Sequence, residues 1–207
     1  MATFLDLQNQ IAFDLLGINS AASTGFQAQI KSEINRVLNK RRYDLNWFNN
    51  QISETTTFEN VDHYELPPDF VSVLEPVILK IDNSNRRRLV KTTIGWVSEK
   101  NSYTGIPIWY TIFDNKLRIA PTPSGQYVIR FYFIKDLGRL SLDTDTNDWL
   151  TNAFDLIRFE CDKSLAILPL RQMDLANNIM PLFMSEQKAY QEQCINYLDS
   201  RSILPEE

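Results

Sequence analysis

Apolar residues recur three and four apart at both ends of the chain and at every second position through its middle, so helices are expected to flank strands. Phe4, Leu7, Ile11 and Leu15 form one helical stripe, Thr3 and Asp6 are placed as a capping pair, and Gly17 stands where a left-handed C-terminal cap belongs. A second helix starts at about Thr24, with Phe26, Ile30, Ile34, Val37 and Leu38 on one face and Lys31, Arg36, Lys40 and Arg41 largely on others. It ends near Tyr43, before the aromatic pair Trp47 and Phe48. From Ile52 the period becomes two, and β-branched residues collect at Thr55, Thr56 and Thr57, at Val71 and Val73, and around Val77, Ile78 and Ile81. Pro67 and Pro68 break this run after Leu66, and Asp82, Asn83, Ser84 and Asn85 predict a turn. Asp114 and Asn115, both tolerant of positive φ, join two strands, Trp109 to Phe113 and Lys116 to Ala120, into a hairpin. Pro121, Pro123 and Gly125 precede a last strand, Tyr127 to Ile134. The helical period returns after Asp148: Leu150, Ala153, Phe154, Ile157, Cys161, Leu165 and Leu168 form one stripe closed by Pro169. A final helix is predicted over about Asp174 to Asp199, in which Pro181 either kinks the helix or marks its true start.

Two early helices of modest length cannot bury their faces alone, so they are expected to pack against the two late ones. The fold class is therefore α+β: a four-helix bundle of N- and C-terminal helix pairs carrying an inserted antiparallel β module. The expected boundaries are 1–50 and 141–200 for the bundle, 51–140 for the β domain and 201–207 for a C-terminal tail.

Composition narrows the class. A chain of 207 residues, 43% hydrophobic, can bury roughly 70% of its unfolded surface, enough for a packed core. No apolar run approaches the ~20 residues that cross a bilayer, and Met1 to Gln10 lacks the basic start and apolar core of a signal peptide. Synthesis and folding in a cytoplasm are expected, with no membrane partner. Cys161 and Cys194 both fall on apolar helical stripes and read as small core residues rather than as a disulfide. Net charge is −5, unevenly spread: residues 141–207 hold twelve acids and five bases, the first 140 fourteen acids and sixteen bases. A mostly acidic protein is a poor general nucleic-acid binder.

The candidate chemistry is sparse. His63, the single histidine, lies in the polar stretch Asn60, Val61, Asp62 without a glycine elbow or nucleophilic serine beside it, and reads as a surface-turn residue. Asp143, Asp145 and Asn147 match the first three ligand positions of a calcium loop, but Asp148 stands where that loop needs glycine and Phe154 where it needs a bidentate glutamate. This acidic run is expected to cap the following helix instead. Arg86, Arg87, Arg88 and Lys91 form the one dense basic cluster, which is either a solvated strand edge or a patch that meets phosphates or an acidic protein face. There is no GxGxxG, phosphate-binding loop, CxxC or HExxH. Nothing calls for an enzyme, a metal or a cofactor.

A series of short motifs then carries a resemblance. It comprises Asn35, Arg36, Val37, Leu38 and Asn39 in the second helix, then Trp47, then Tyr64, Glu65, Leu66, Pro67, Pro68, Asp69 and Phe70. It continues through Gly105, Ile106 and Pro107, the run from Leu117 to Pro123, the strand Tyr127 to Phe133, and Asp148, Trp149 and Leu150. In this order, over about residues 24 to 195, the chain resembles the head-to-tail adaptor proteins of short-tailed bacteriophages. The resemblance implies a non-catalytic virion protein, assembled in the host cytoplasm, that forms a twelve-membered ring beneath the portal protein. Such a ring prolongs the DNA channel without sequence-specific binding and gives the tail nozzle and tail fibre proteins their platform. Another virion connector, such as a head-completion or nozzle subunit, is the alternative, disfavoured because a mainly β subunit would lack four amphipathic helices.

The resemblance implies a C-terminal segment that often grips the portal, and this chain departs from it in having only a short one, Ser200 to Glu207. In this sequence Ile203, Leu204 and Pro205 follow Arg201 just beyond the final helix. Two aliphatic side chains on a polar tail gain from burial in a partner, and Pro205 suits an extended insertion. These residues, with Tyr197 and Arg201, are the expected contacts to the portal or a neighbouring subunit.

Overall fold

The computed structural model describes residues 1–17, 24–44, 46–82 and 84–200. The helices are α1 (Phe4–Leu16), α2 (Thr24–Lys40), α3 (Ile94–Lys100), α4 (Asp148–Asn152), α5 (Phe154–Ile167) and α6 (Met173–Ser200). The strands are β1 (Asn50–Thr56), β2 (His63–Glu65), β3 (Phe70–Lys80), β4 (Arg86–Lys91), β5 (Thr104–Gly105), β6 (Trp109–Phe113), β7 (Lys116–Ala120), β8 (Thr122–Pro123) and β9 (Val128–Lys135). They form two compact units, a helical one from residues 1–49 with those from Leu137 on, and a β unit, Asn50–Asp136.

In the helical unit α1 begins as its sequence dictates. The Thr3 hydroxyl accepts from the Asp6 N–H and the Asp6 carboxylate accepts from the Thr3 N–H, while Gly17, at φ 67°, donates its N–H to the Phe13 carbonyl. Two further first-turn N–H groups, of Phe4 and Leu5, donate to the carbonyls of Asp145 and Asp143, so the loop before α4 closes the helix end. The stripes of α1, α2, α5 and α6 meet in one core that includes Leu7, Ile11, Ile34, Val37, Leu150, Ile157, Cys161 and Phe183. Its arrangement differs from two paired hairpins: α1, α2 and α6 each pack along α5. The reason lies on α5, where Leu156, Ile157, Glu160, Cys161, Asp162, Leu165 and Ala166 are all buried, covering most of the circumference as a central helix requires.

One further expectation is corrected here, and of the two alternatives for Pro181 the helix start is removed. The single helix predicted from Asp148 to Pro169 is divided at Ala153, whose φ of −142° and ψ of 33° break the ladder between α4 and α5. Pro181 neither starts nor ends α6 but lies in its third turn, leaving the Asn177 carbonyl without a helical N–H. Both residues are exposed.

In the β unit seven strands follow the order β1-β9-β3-β4-β6-β7-β2, with β5 and β8 paired separately. Asp114 and Asn115, both at φ 54°, close the β6–β7 hairpin with Phe113 opposite Lys116, as the sequence predicts. The sheet is mixed rather than antiparallel, because β4 and β6 run parallel. Between them the chain passes through α3, capped by the Thr93 hydroxyl, and this crossover returns β6 in the direction of β4. At seven residues α3 is too short to leave a periodic signature. Val77, Leu79, Leu89, Tyr110, Leu117, Ile119, Ile129 and Phe131 fill the core of this unit.

Candidate functional site

The basic cluster sits on β4. Arg86, Arg87 and Arg88 are exposed, as are Val90 and Lys91, while Leu89 is buried. Strand alternation puts Arg87 and Lys91 on the side of Leu89 and leaves Arg86, Arg88 and Val90 together on the other. In the strand order β4 lies between β3 and β6, but the arginine stretch itself is paired on one flank only, as a solvated edge would be. The strand changes partner along its length: Arg86 to Leu89 pair with Lys80 to Val77 of β3, and Val90 and Lys91 with Trp109 and Tyr110 of β6. Among the described residues none of these four basic side chains enters an ion pair, unlike neighbouring Lys80, held by Glu54 at 2.9 Å.

His63 stands in β2, with Nδ1 at 2.8 Å from an Asp62 carboxylate oxygen, while the other Asp62 oxygen accepts from Asn101 Nδ2. Asp62 thereby links the start of β2 to the residue that ends α3. The acidic run is distributed otherwise than expected. Asn147 caps α4 through the Leu150 N–H, whereas Asp145 accepts from the N–H groups of Ser141 and Leu142. Asp143 accepts from Lys31 at 2.7 Å and from Gln8, which holds its carboxyl below the usual range. Among the described residues no group of three His, Cys, Asp or Glu side chains is placed to hold a metal ion. Of the expected tail contacts, Tyr197 is half-buried on α6, and Arg201, Ile203, Leu204 and Pro205 lie outside the described residues.

Two charged centres escaped the sequence. Glu160, on α5 and only 3% exposed, accepts from Arg41 Nε at 2.5 Å and from Lys40 Nζ at 2.8 Å. Burial pushes its carboxyl up, but the Lys40 hydrogen bond and the Arg41 charge outweigh that and hold it below the ordinary value. Asp162, 1% exposed, faces Asp14 of α1, with Arg158 Nε 2.6 Å from Asp14 and 3.9 Å from Asp162. Burial first, then the Asp14 charge and hydrogen bond, push the Asp162 carboxyl up to about 9. The available signal was that Glu160 and Asp162 bracket Cys161 on a helix with apolar residues on several sides.

The surface of the helical unit carries two adjoining depressions. One, of about 470 Å³, is lined by Asp6, Asn9, Gln10, Phe13 and Phe154. The other, of about 220 Å³, runs from Phe154 to α6, where Glu186, Ala189 and Gln193 line it. Phe13 is 57% exposed there.

A charged strand face and a helical groove lined by carboxylates and two phenylalanines are, among the described residues, surfaces suited to contacts with other proteins. The comparison with protein families is specific: the model of the SU10 adaptor protein family matches residues 2–166. The chain belongs to that family and is a phage head–tail adaptor, a structural virion component. No curated protein matches it.

Proposed function

We propose that this adaptor forms a ring of about twelve copies beneath the portal protein, extends the DNA channel, and gives the tail nozzle and fibre proteins their attachment platform. The family match over residues 2–166 carries the reading. The connector role in the virion follows from the family, and the partners and stoichiometry are what the resemblance adds. The isolated chain is expected to be monomeric or weakly associating, with ring closure on the portal through heterologous contacts, one patch of each copy meeting a different patch of the next. Mass photometry of the chain with and without its portal tests this. A two-fold dimer indifferent to the portal refutes it.

The C-terminal residues Arg201, Ile203, Leu204 and Pro205, with Tyr197, are the proposed docking element. Burying two aliphatic side chains contributes on the order of 3 to 5 kcal/mol before ordering costs. A chain ending at Ser200 is expected to melt at the same temperature and to lose portal association. Undiminished loading of the truncated chain would move the contact surface to the helices.

A further inference from the structure

We infer that the groove beside Phe154 receives the β4 face of a second copy, which supplies the two unlike patches of a closed ring. This rests on the ring reading above and names its contact. The groove sets two aromatic rings, Phe13 and Phe154, among polar side chains, and its charged lining is Asp6, Asp155 and Glu186 without a base. Asp155 holds one arm of Arg158 at 2.9 Å, and Asp6 and Glu186 hold no cation among the described residues. Such a surface suits aliphatic groups flanked by guanidinium groups, which pair with carboxylates and lie flat against aromatic rings.

The chain presents one such segment on β4. Arg86, Arg88 and Val90 share a face and span about 13 Å at strand rise, the two arginines enter no ion pair among the described residues, and Val90 is 56% exposed. The charge balance runs the same way. Residues 50–136 carry ten acids and ten bases, so the whole net charge of −5 lies in the remainder of the chain, to which the groove belongs. A contact of the basic strand with an acidic groove of the next copy is heterologous and repeats around a ring. Nucleic acid would satisfy the arginines but not the exposed Val90, and would leave the groove in water.

Full-length single-cysteine additions test the contact, because native Cys161 and Cys194 are buried. Differently tagged R88C and Q10C chains are mixed on portal and treated with a short bismaleimide, with Q172C, exposed outside the groove, as control. A mixed R88C–Q10C dimer is expected, at least tenfold over R88C–Q172C. Ring loading is expected to fall about tenfold for R86E/R88E and for E186R/Q193R, and to return when all four changes are combined. Normal rings without the mixed crosslink, or charge reversals without effect, overturn this contact and leave the ring reading standing. Failure of the unchanged chain to form any ring sinks both. Loss of DNA retention by R86E/R88E in normally assembled rings assigns the strand to nucleic acid and overturns the inference.

Discussion

Replacing Asp162 with asparagine should flatten the dependence of stability on pH. In the folded chain this carboxyl on α5 is 1% exposed, and its Oδ1 has no hydrogen-bond partner. The charged groups facing it are Asp14 from α1 and Arg158 from α5 itself, whose other nitrogen reaches Asp155. Burial and the Asp14 carboxylate raise its pKa to about 9 from 3.8, so the pair retains a proton at neutral pH. Between those values the folded chain binds a proton that the unfolded chain has released. The contribution is therefore fully present below the unfolded pKa and is lost as pH rises through the folded one. The slope is about 1.4 kcal/mol per pH unit, so from pH 6 to 8 the wild type should lose roughly 2 to 3 kcal/mol. Asp162→Asn keeps a donor toward Asp14 without a titrating proton, and is expected to match the wild type near pH 5 and exceed it by about 4 kcal/mol at pH 8. Urea unfolding followed by the fluorescence of the four tryptophans measures both chains at pH 5, 6, 7 and 8. Parallel curves for the two proteins would refute the shared proton.

Two further outcomes are expected of the same core. Glu160→Gln takes the buried carboxylate from the Arg41 guanidinium, itself 8% exposed, leaves it Asp44 at 3.3 Å, and should cost about 3 kcal/mol. Because the Glu160 carboxyl is held below its ordinary value, its contribution is present above the unfolded pKa and lost as pH falls, so the variant's deficit in urea unfolding should shrink below pH 4. Cys161→Ala, at a position with no exposed surface, should cost roughly 1 to 3 kcal/mol in the same assay through lost packing alone. Burial, reinforced by Glu33, pushes that thiol well above its usual pKa, so a bulky thiol reagent should label Cys161 only on unfolding, and rapid native labelling would contradict this.

What the sequence determined by itself is what depends on neighbours a few residues away. The Thr3 and Asp6 cap, the Gly17 stop, the Asp114–Asn115 turn and the stripes of α1, α2, α5 and α6 all express local backbone preference and periodic burial. The ordered motifs across the chain likewise sufficed for the family, which residues 2–166 match. Tertiary structure alone decided the rest. Whether β6 runs parallel or antiparallel to β4 depends on a seven-residue crossover with no periodicity of its own, and the exchange of partners along β4 depends on where that crossover returns the chain. The position of α5 at the centre of the helical unit turned Glu160 and Asp162 from apparent surface acids into buried ones, because the residues that enclose and answer them, Arg41 and Asp14, lie more than a hundred positions earlier. Local pattern reports which face of an element avoids water, but how much of its circumference must do so is set by how many elements surround it.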